Sequence, residues 1–170
     1  MTDKNAVGVT IIGHDSEDRR LVNGYEGSGS YVRPIYYQGA GITSVSQIAV
    51  ITNVSTQCEQ FIKYECYGSA LFRYRSGWWV SRNSAKMMYW GGATPANSYK
   101  CACGVTNPNT CADTTRGCYC DKNDYAWRED SGLLTEKSDL PVTQLRFGDT
   151  GSLIEKGYHM LGKFKCYGMA

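Results

Sequence analysis

Histidine is almost missing from this chain of 170 residues: only His14 and His159 occur. A Ser-His-Asp or Cys-His set needs a nucleophile, a base and an orienting group brought together, and no G-x-S-x-G stretch is present. Glycine loops that cradle phosphates are missing as well. Paired carboxylates cluster only in residues 121–130, where nothing marks a sugar-cleaving cleft. These gaps argue against an enzyme. No apolar run approaches the ~18 residues of a membrane helix. The 18 Lys+Arg and 16 Asp+Glu nearly cancel, leaving +2. No block of one sign occurs, which points away from a nucleic-acid surface. Met1-Thr2-Asp3-Lys4-Asn5 does not read as the start of a signal peptide, and no small-residue cleavage site follows it. An exported protein with this sequence would be a mature form or an excised piece.

What is present points to a folded, strand-rich chain. Apolar residues make up 42% and charged residues 20%, a globular balance. The length predicts one domain over residues 1–170. Nineteen glycines and 13 tyrosines favour strands and turns over helices.

The eight cysteines are Cys58, Cys66, Cys101, Cys103, Cys111, Cys118, Cys120 and Cys166, and five of them fall within residues 101–120 (CACGVTNPNTCADTTRGCYC). That segment has almost no large aliphatic residues, so disulfides or a metal must staple it. Structural zinc sites favour C-x₂₋₄-C pairs, whereas the pairs here are C-x-C. Disulfides are therefore expected, and with them an extracellular or secretory compartment. Asn53-Val54-Ser55 is a glycosylation sequon that suits this compartment.

Strands are expected over residues 7–12, 31–37, 44–52, 61–66, 77–80, 87–92, 141–147 and 158–166. Residues 15–20 read as a charged turn and 23–30 as a loop. Pro34 confines its strand to an edge or a bulge. Thr56 followed by Glu59 has capping-box spacing, which predicts a helical turn near residues 53–57. In residues 61–66, Ile62, Tyr64 and Cys66 form the uncharged face and should point inward. In residues 158–166, Met160, Gly162, Phe164 and Cys166 share a face, which leaves His159 on the charged, solvated side. His14 reads as a polar strand end. The tryptophans of Gly77-Trp78-Trp79-Val80 and Tyr89-Trp90-Gly91-Gly92 are expected in a core, with glycines where backbones pass closely.

A series of motifs adds a resemblance. CEQFIKYEC, GWWVSRN, YWGG, KCACG, CYCD with Trp127 six residues after its aspartate, SGLLTEKSDLPVTQL and GDTG follow one another between residues 58 and 166. In this order they resemble the fibrinogen-like domain of the contactin-associated, neurexin-related cell-adhesion proteins. Fibrillar collagen C-propeptides and fibrinogen-related lectins are more distantly similar. That family's domain normally begins further upstream, so its N-terminal subregion is expected to be missing here. The resemblance implies a β-rich α+β fold: one disulfide-stapled fibrinogen-C-like domain with short helices and long loops. It also implies a non-enzymatic extracellular recognition or adhesion module with protein or glycan partners. A structural, self-associating matrix protein and a fibrinogen-type lectin stand as alternatives.

Two site expectations remain. Asp121, Asn123 and Asp130 offer hard oxygen ligands of the kind calcium takes, against a plain acidic turn that supports Trp127. No other cofactor is expected. Cys66 and Cys166 each end a strand-like run on its uncharged face, which predicts a bond between them, and the collagen-propeptide similarity implies the same pair. The other six cysteines would then staple the 101–120 region in one of fifteen pairings.

Overall fold

The longest strand shows how the fold is written. In the computed structural model, which describes residues 8–39, 41–42 and 44–168, β5 (Gln57–Tyr67) alternates buried and partly exposed positions along its length. Cys58, Gln60, Ile62, Tyr64 and Cys66 point inward, as alternation demands of a half-buried strand. Gln60 is the polar exception, and it is fully used. Its Nε2 donates to the Tyr37 hydroxyl (2.8 Å) and to Gly162 O (3.1 Å), while its Oε1 accepts from Val142 N (3.0 Å).

The remaining strands are β1 (Val9–His14), β2 (Arg20–Val22), β3 (Tyr31–Pro34), β4 (Tyr37–Gln38), β6 (Trp78–Val80), β7 (Lys86–Met87), β8 (Arg128–Leu134), β9 (Gln144–Phe147), β10 (Lys156–Leu161) and β11 (Phe164–Tyr167). The larger sheet runs β2-β10-β5-β11-β1-β4, with β8 on the other side of β5. The smaller sheet runs β3-β9-β6-β7, all antiparallel, and Pro34 closes its edge strand β3. The sequence motifs thus yield a β-rich fold with few helices. Residues 1–7 of the expected first strand and leader reading lie outside the described residues, as do residues 40, 43, 169 and 170.

Trp79 and Trp90 are fully buried in the shared core. Their indole N–H groups donate to Tyr89 O (2.7 Å) and Asp130 O (3.0 Å), so neither is left unpaired. Trp78 is only half-buried and carries the Lys86 ammonium 3.7 Å over its ring. At Gly91 a Cβ would stand 2.3 Å from Gly132 O, so two backbones cross there.

Residues 44–52 are not a strand. They form most of α1 (Val45–Val54), which Ser44 caps with Gln47 in a reciprocal capping box. Ile48 and Thr52, one turn apart, bury its inner face. The run of Val and Ile suggested a strand, but the cap and the i,i+4 pair outweigh β propensity. Thr56 does not start a helix. Its N–H pairs with Tyr167 O beside the start of β5.

Four disulfides close the chain: Cys58–Cys166, Cys66–Cys120, Cys101–Cys118 and Cys103–Cys111, and no described cysteine is free. The expected bond between Cys66 and Cys166 is therefore corrected. Both do face the core, but β11 pairs with the beginning of β5, which sets Cys166 directly across from Cys58. Cys66 lies eight residues further along, about 26 Å at strand rise, where it faces Gly157 and Arg128.

His159 also departs from expectation. Gly162 and Lys163 interrupt the strand, so the alternation of β10 does not continue in phase into β11. Gly157, His159 and Leu161 point inward in β10, and Phe164 and Cys166 in β11. His159 is buried, stacks on Phe147 (centroids 5.8 Å) and shares a 2.8 Å hydrogen bond between its Nε2 and the Tyr31 hydroxyl.

Candidate functional site

Residues 99–127 hold little regular structure beyond α2 (Ala102–Val105) and one 3-10 turn at Cys120–Lys122. Three disulfides and two buried carboxylates shape the segment. Asp121 Oδ1 accepts from Leu71 N (2.8 Å) and Phe72 N (2.9 Å). Asp130 takes Tyr119 N on Oδ1 and Cys120 N on Oδ2, both at 2.9 Å. Burial pushes Asp130 up to about 7 against those two amide bonds, and burial raises Asp121 as well. With its side-chain amide turned so that the nitrogen faces them, Asn123 donates to Gly68 O (2.9 Å) and Asp149 Oδ2 (3.1 Å). Asp121 and Asp130 thus each serve backbone partners of their own. A carboxylate whose lone pairs meet backbone N–H groups is a loop anchor.

Another acidic group does converge. Carboxylate oxygens of Glu26, Asp149 and Glu155 lie within 4.8 Å of one another. Burial, then Glu155 and Glu26, pushes Asp149 up to about 6. Hard oxygens in this arrangement suit a cation such as calcium. Sequence reading missed it because Glu26, in the loop between β2 and β3, meets Asp149 and Glu155, in the loop between β9 and β10, only in the folded chain. Only Asp149, in the GDTG motif, carried a signal.

His14 ends β1 as expected. Its Nδ1 accepts from Ser16 N (2.9 Å), which sets Nε2 to donate to Gly162 O (2.8 Å), and burial lowers its pKa. Burial lowers His159 to about 4, with the Arg33 and Arg20 charges acting the same way. Asn53 is exposed on the last turn of α1, while Ser55 of its sequon donates its hydroxyl to Ile51 O (2.7 Å).

The outward face of β5, β8 and β10 presents a group of neighbouring aromatic rings. Trp127 is 49% and Tyr125 61% exposed. The Trp127 ring lies 5.5 Å from Tyr67 and 5.7 Å from Tyr158, and Tyr67 lies 6.0 Å from Tyr125. The Arg19 guanidinium sits 3.5 Å over Tyr158 and pairs with Glu65 at 2.6 Å. Arg128 grips Asp124 with two bonds of 2.8 and 2.7 Å. Between these groups lies an open cleft of about 480 Å³ lined by Arg19, Glu65, Tyr119, Trp127, Arg128 and Glu129. Tyr67, Glu65 and Tyr158 hold outward positions on paired strands, where Glu65 faces Tyr158 across the β5–β10 register. Rigid aromatics beside arginine are the residue types that dominate binding energy at interfaces. Sequence reading named Trp127 alone, because the set assembles only once β5, β8 and β10 are side by side.

These features define a class: a β-rich, four-disulfide domain that displays an aromatic–arginine face. No protein-family model matches the chain. It is 36% identical over 170 aligned positions to Neurexin-4 of Drosophila melanogaster, an alignment that covers 94% of the chain and 13% of that protein. It is 36% identical over 163 positions to human Contactin-associated protein 1, covering 94% of the chain and 11% of that protein. The chain is related to both, and it spans only a small part of their length.

Proposed function

We propose that the chain is a non-enzymatic extracellular recognition module of the fibrinogen-like type, which binds a protein on a cell surface through the Trp127 face. The observation that carries this reading is the exposed Trp127 ring packed against the half-buried Tyr67 and Tyr158, with Arg19 stacked upon Tyr158. Water-exposed indole and phenol rings held rigid on a sheet lose little entropy on contact with a partner. Four disulfides fit an oxidising, extracellular compartment. The kinship with Neurexin-4 and Contactin-associated protein 1 supports a role in adhesion. The name of the second associates that protein with contactin, which makes a contactin ectodomain the first probe to try.

The test is biosensor binding of the contactin ectodomain to the wild-type chain and to Trp127→Ala. Loss of a central aromatic contact costs about 2 kcal/mol or more, about 30-fold in affinity. Equal binding by the two proteins would move the interface elsewhere, and no binding by either would exclude contactin as partner.

A further inference from the structure

A second cleft, of about 420 Å³, lies apart from the Trp127 face and is lined by Phe72, Arg73, Tyr74, Arg75, Tyr99 and Arg116. Its chemistry is one-sided: three guanidiniums, two phenols and a buried phenylalanine. Among the described residues, none of the three arginines makes an ion pair. Arg75 and Arg116 are exposed, and among the described residues their guanidiniums have no hydrogen-bond partner, while Arg73 hydrogen-bonds only to backbone, at Asp121 O (3.4 Å) and Lys122 O (3.5 Å). Arg73 Nε is buried with no partner at all.

The neighbouring carboxylates are committed elsewhere. Asp113 takes the Thr115 amide at 3.0 Å and hydroxyl at 2.6 Å, and Asp121 takes the Leu71 and Phe72 amides. Asp113 feels the charges of Arg116 and Arg73, and Asp121 that of Arg116, but neither carboxylate pairs directly with an arginine, so the three guanidiniums stay open to an anion.

The aromatic rings are placed by an unusual backbone. Tyr74, Arg75 and Tyr99 all hold left-handed φ values of 61°, 52° and 63°, a region that non-glycine residues seldom enter. Hydrogen bonds fix the loop that carries the first two: Arg75 N to Phe72 O (2.8 Å), Gly77 N to Leu71 O (2.7 Å) and Ser28 Oγ to Tyr74 O (3.2 Å). Tyr99 is tied by its N–H to Met88 O (2.6 Å). Arg73 lies 5.0 Å over the Tyr74 ring and Arg75 5.5 Å over the Tyr99 ring, so rings and cations alternate around one opening.

We propose that this cleft binds a sulfated polysaccharide, with sulfate groups on Arg73, Arg75 and Arg116 and a sugar ring against Tyr74 or Tyr99. Guanidiniums match the oxygens of such anions with forked, charge-assisted bonds. Exposed tyrosine rings give a sugar an apolar face to lie on. The four disulfides fit a compartment outside the cytosol, where sulfate esters on glycans are a fitting anion. A cleft open to solvent suits a chain passing through, and separate arginines suit charges repeated along it.

The test is calorimetric titration with a heparin-derived hexasaccharide, against wild type, Arg75→Ala/Arg116→Ala and Trp127→Ala. The substituted arginines make no side-chain hydrogen bond or ion pair among the described residues, so the melting temperature and far-ultraviolet circular dichroism should be unchanged. Wild type should bind, and affinity should fall with rising salt as counterions are released. The double variant should bind about tenfold more weakly or worse, with a log–log salt slope smaller by about two. Trp127→Ala should bind as wild type does, which keeps this result separate from that of the Trp127 face. Four results would overturn the assignment: no binding by wild type, no change in the arginine variant, equal binding of the desulfated hexasaccharide, or tighter binding of a sulfotyrosyl peptide.

Discussion

Replacing Cys58 and Cys166 together by alanine removes the bond that joins β5 to β11. The two residues are 108 apart in sequence. A loop of that length, left open in the unfolded chain, is worth about 5 kcal/mol on the chain-entropy model. The bond between Cys66 and Cys120, 54 apart, short-circuits that loop to about half its length. Loop entropy grows as the logarithm, so halving takes off only about 0.6 kcal/mol, and the expected loss is about 4 kcal/mol. Cys103 and Cys111 are 8 apart, and the same model gives about 2.5 kcal/mol for them. The comparison is made by urea unfolding without reductant, with the other three bonds confirmed by non-reducing peptide mapping. The Cys58/Cys166 variant should lose more stability than the Cys103/Cys111 variant, and its unfolding slope should rise because the freed chain exposes more surface. A typical domain has 5–15 kcal/mol in hand, so the first variant should fold near the margin. A Cys58/Cys166 loss below about 1 kcal/mol, or a mapped peptide joining Cys66 to Cys166, would refute the register that places these residues.

His159 should make stability depend on pH. Its folded pKa of about 4 lies below the unfolded value near 6.5. The unfolded chain therefore binds the extra proton between those values, and stability is lost as pH falls from about 6.5 to 4, by up to about 3 kcal/mol. Asp130, held near 7 when folded, acts in the opposite sense across the same window, so the reading is the difference between wild type and His159→Gln in urea midpoints from pH 4.5 to 7.5. A constant difference across that range would show that His159 does not titrate as placed. Calcium should not act through Asp121, Asn123 and Asp130: any rise in melting temperature at millimolar calcium should persist in Asn123→Ala, and its disappearance there would place calcium at that site. Asn53 is exposed and should carry a glycan when the chain is made in a secretory host; the absence of a mass shift on enzymatic deglycosylation, judged against Asn53→Gln, would show the sequon unused.

The parts of the fold legible in sequence are those where one physical signal stands alone. Alternation in residues 61–66 marks a strand and its inward face, and β5 keeps that pattern for eleven residues. Pro34 marks an edge, and β3 is one. The signal failed where two principles compete. Residues 44–54 mix β-branched side chains with a helix cap, and the cap at Ser44 prevails. His159 was misplaced because a two-residue break at Gly162 and Lys163 resets the phase, and no composition rule announces such a break. The disulfide reading had the right face and the wrong position along it, since a face says nothing about which end of a partner strand lies opposite. The Trp127 face was hidden for a related reason: Arg19, Glu65, Tyr67 and Tyr158 meet only through strand pairing.

The acidic residues between 121 and 130 tie these threads together. A segment poor in large aliphatics cannot hold its shape by burial, and the remedies are crosslinks, a metal, or polar groups that bind the backbone directly. The disulfides of Cys120 with Cys66 and of Cys118 with Cys101 pin the segment at two neighbouring points. Asp130 then caps the amides of Tyr119 and Cys120, and Asp121 reaches across to those of Leu71 and Phe72. Tyr119 lines the Trp127 cleft, while Phe72 and Arg73 line the arginine cleft. One short stretch of chain thus anchors the walls of both clefts, and two buried carboxylates do there what an ion's coordination shell would do. Each contact is a buried bond from backbone N–H to carboxyl oxygen, costly to leave unmade, and stronger when the carboxyl is ionised. Both faces should therefore fail together when this anchor is broken, and separately when only their exposed side chains are changed.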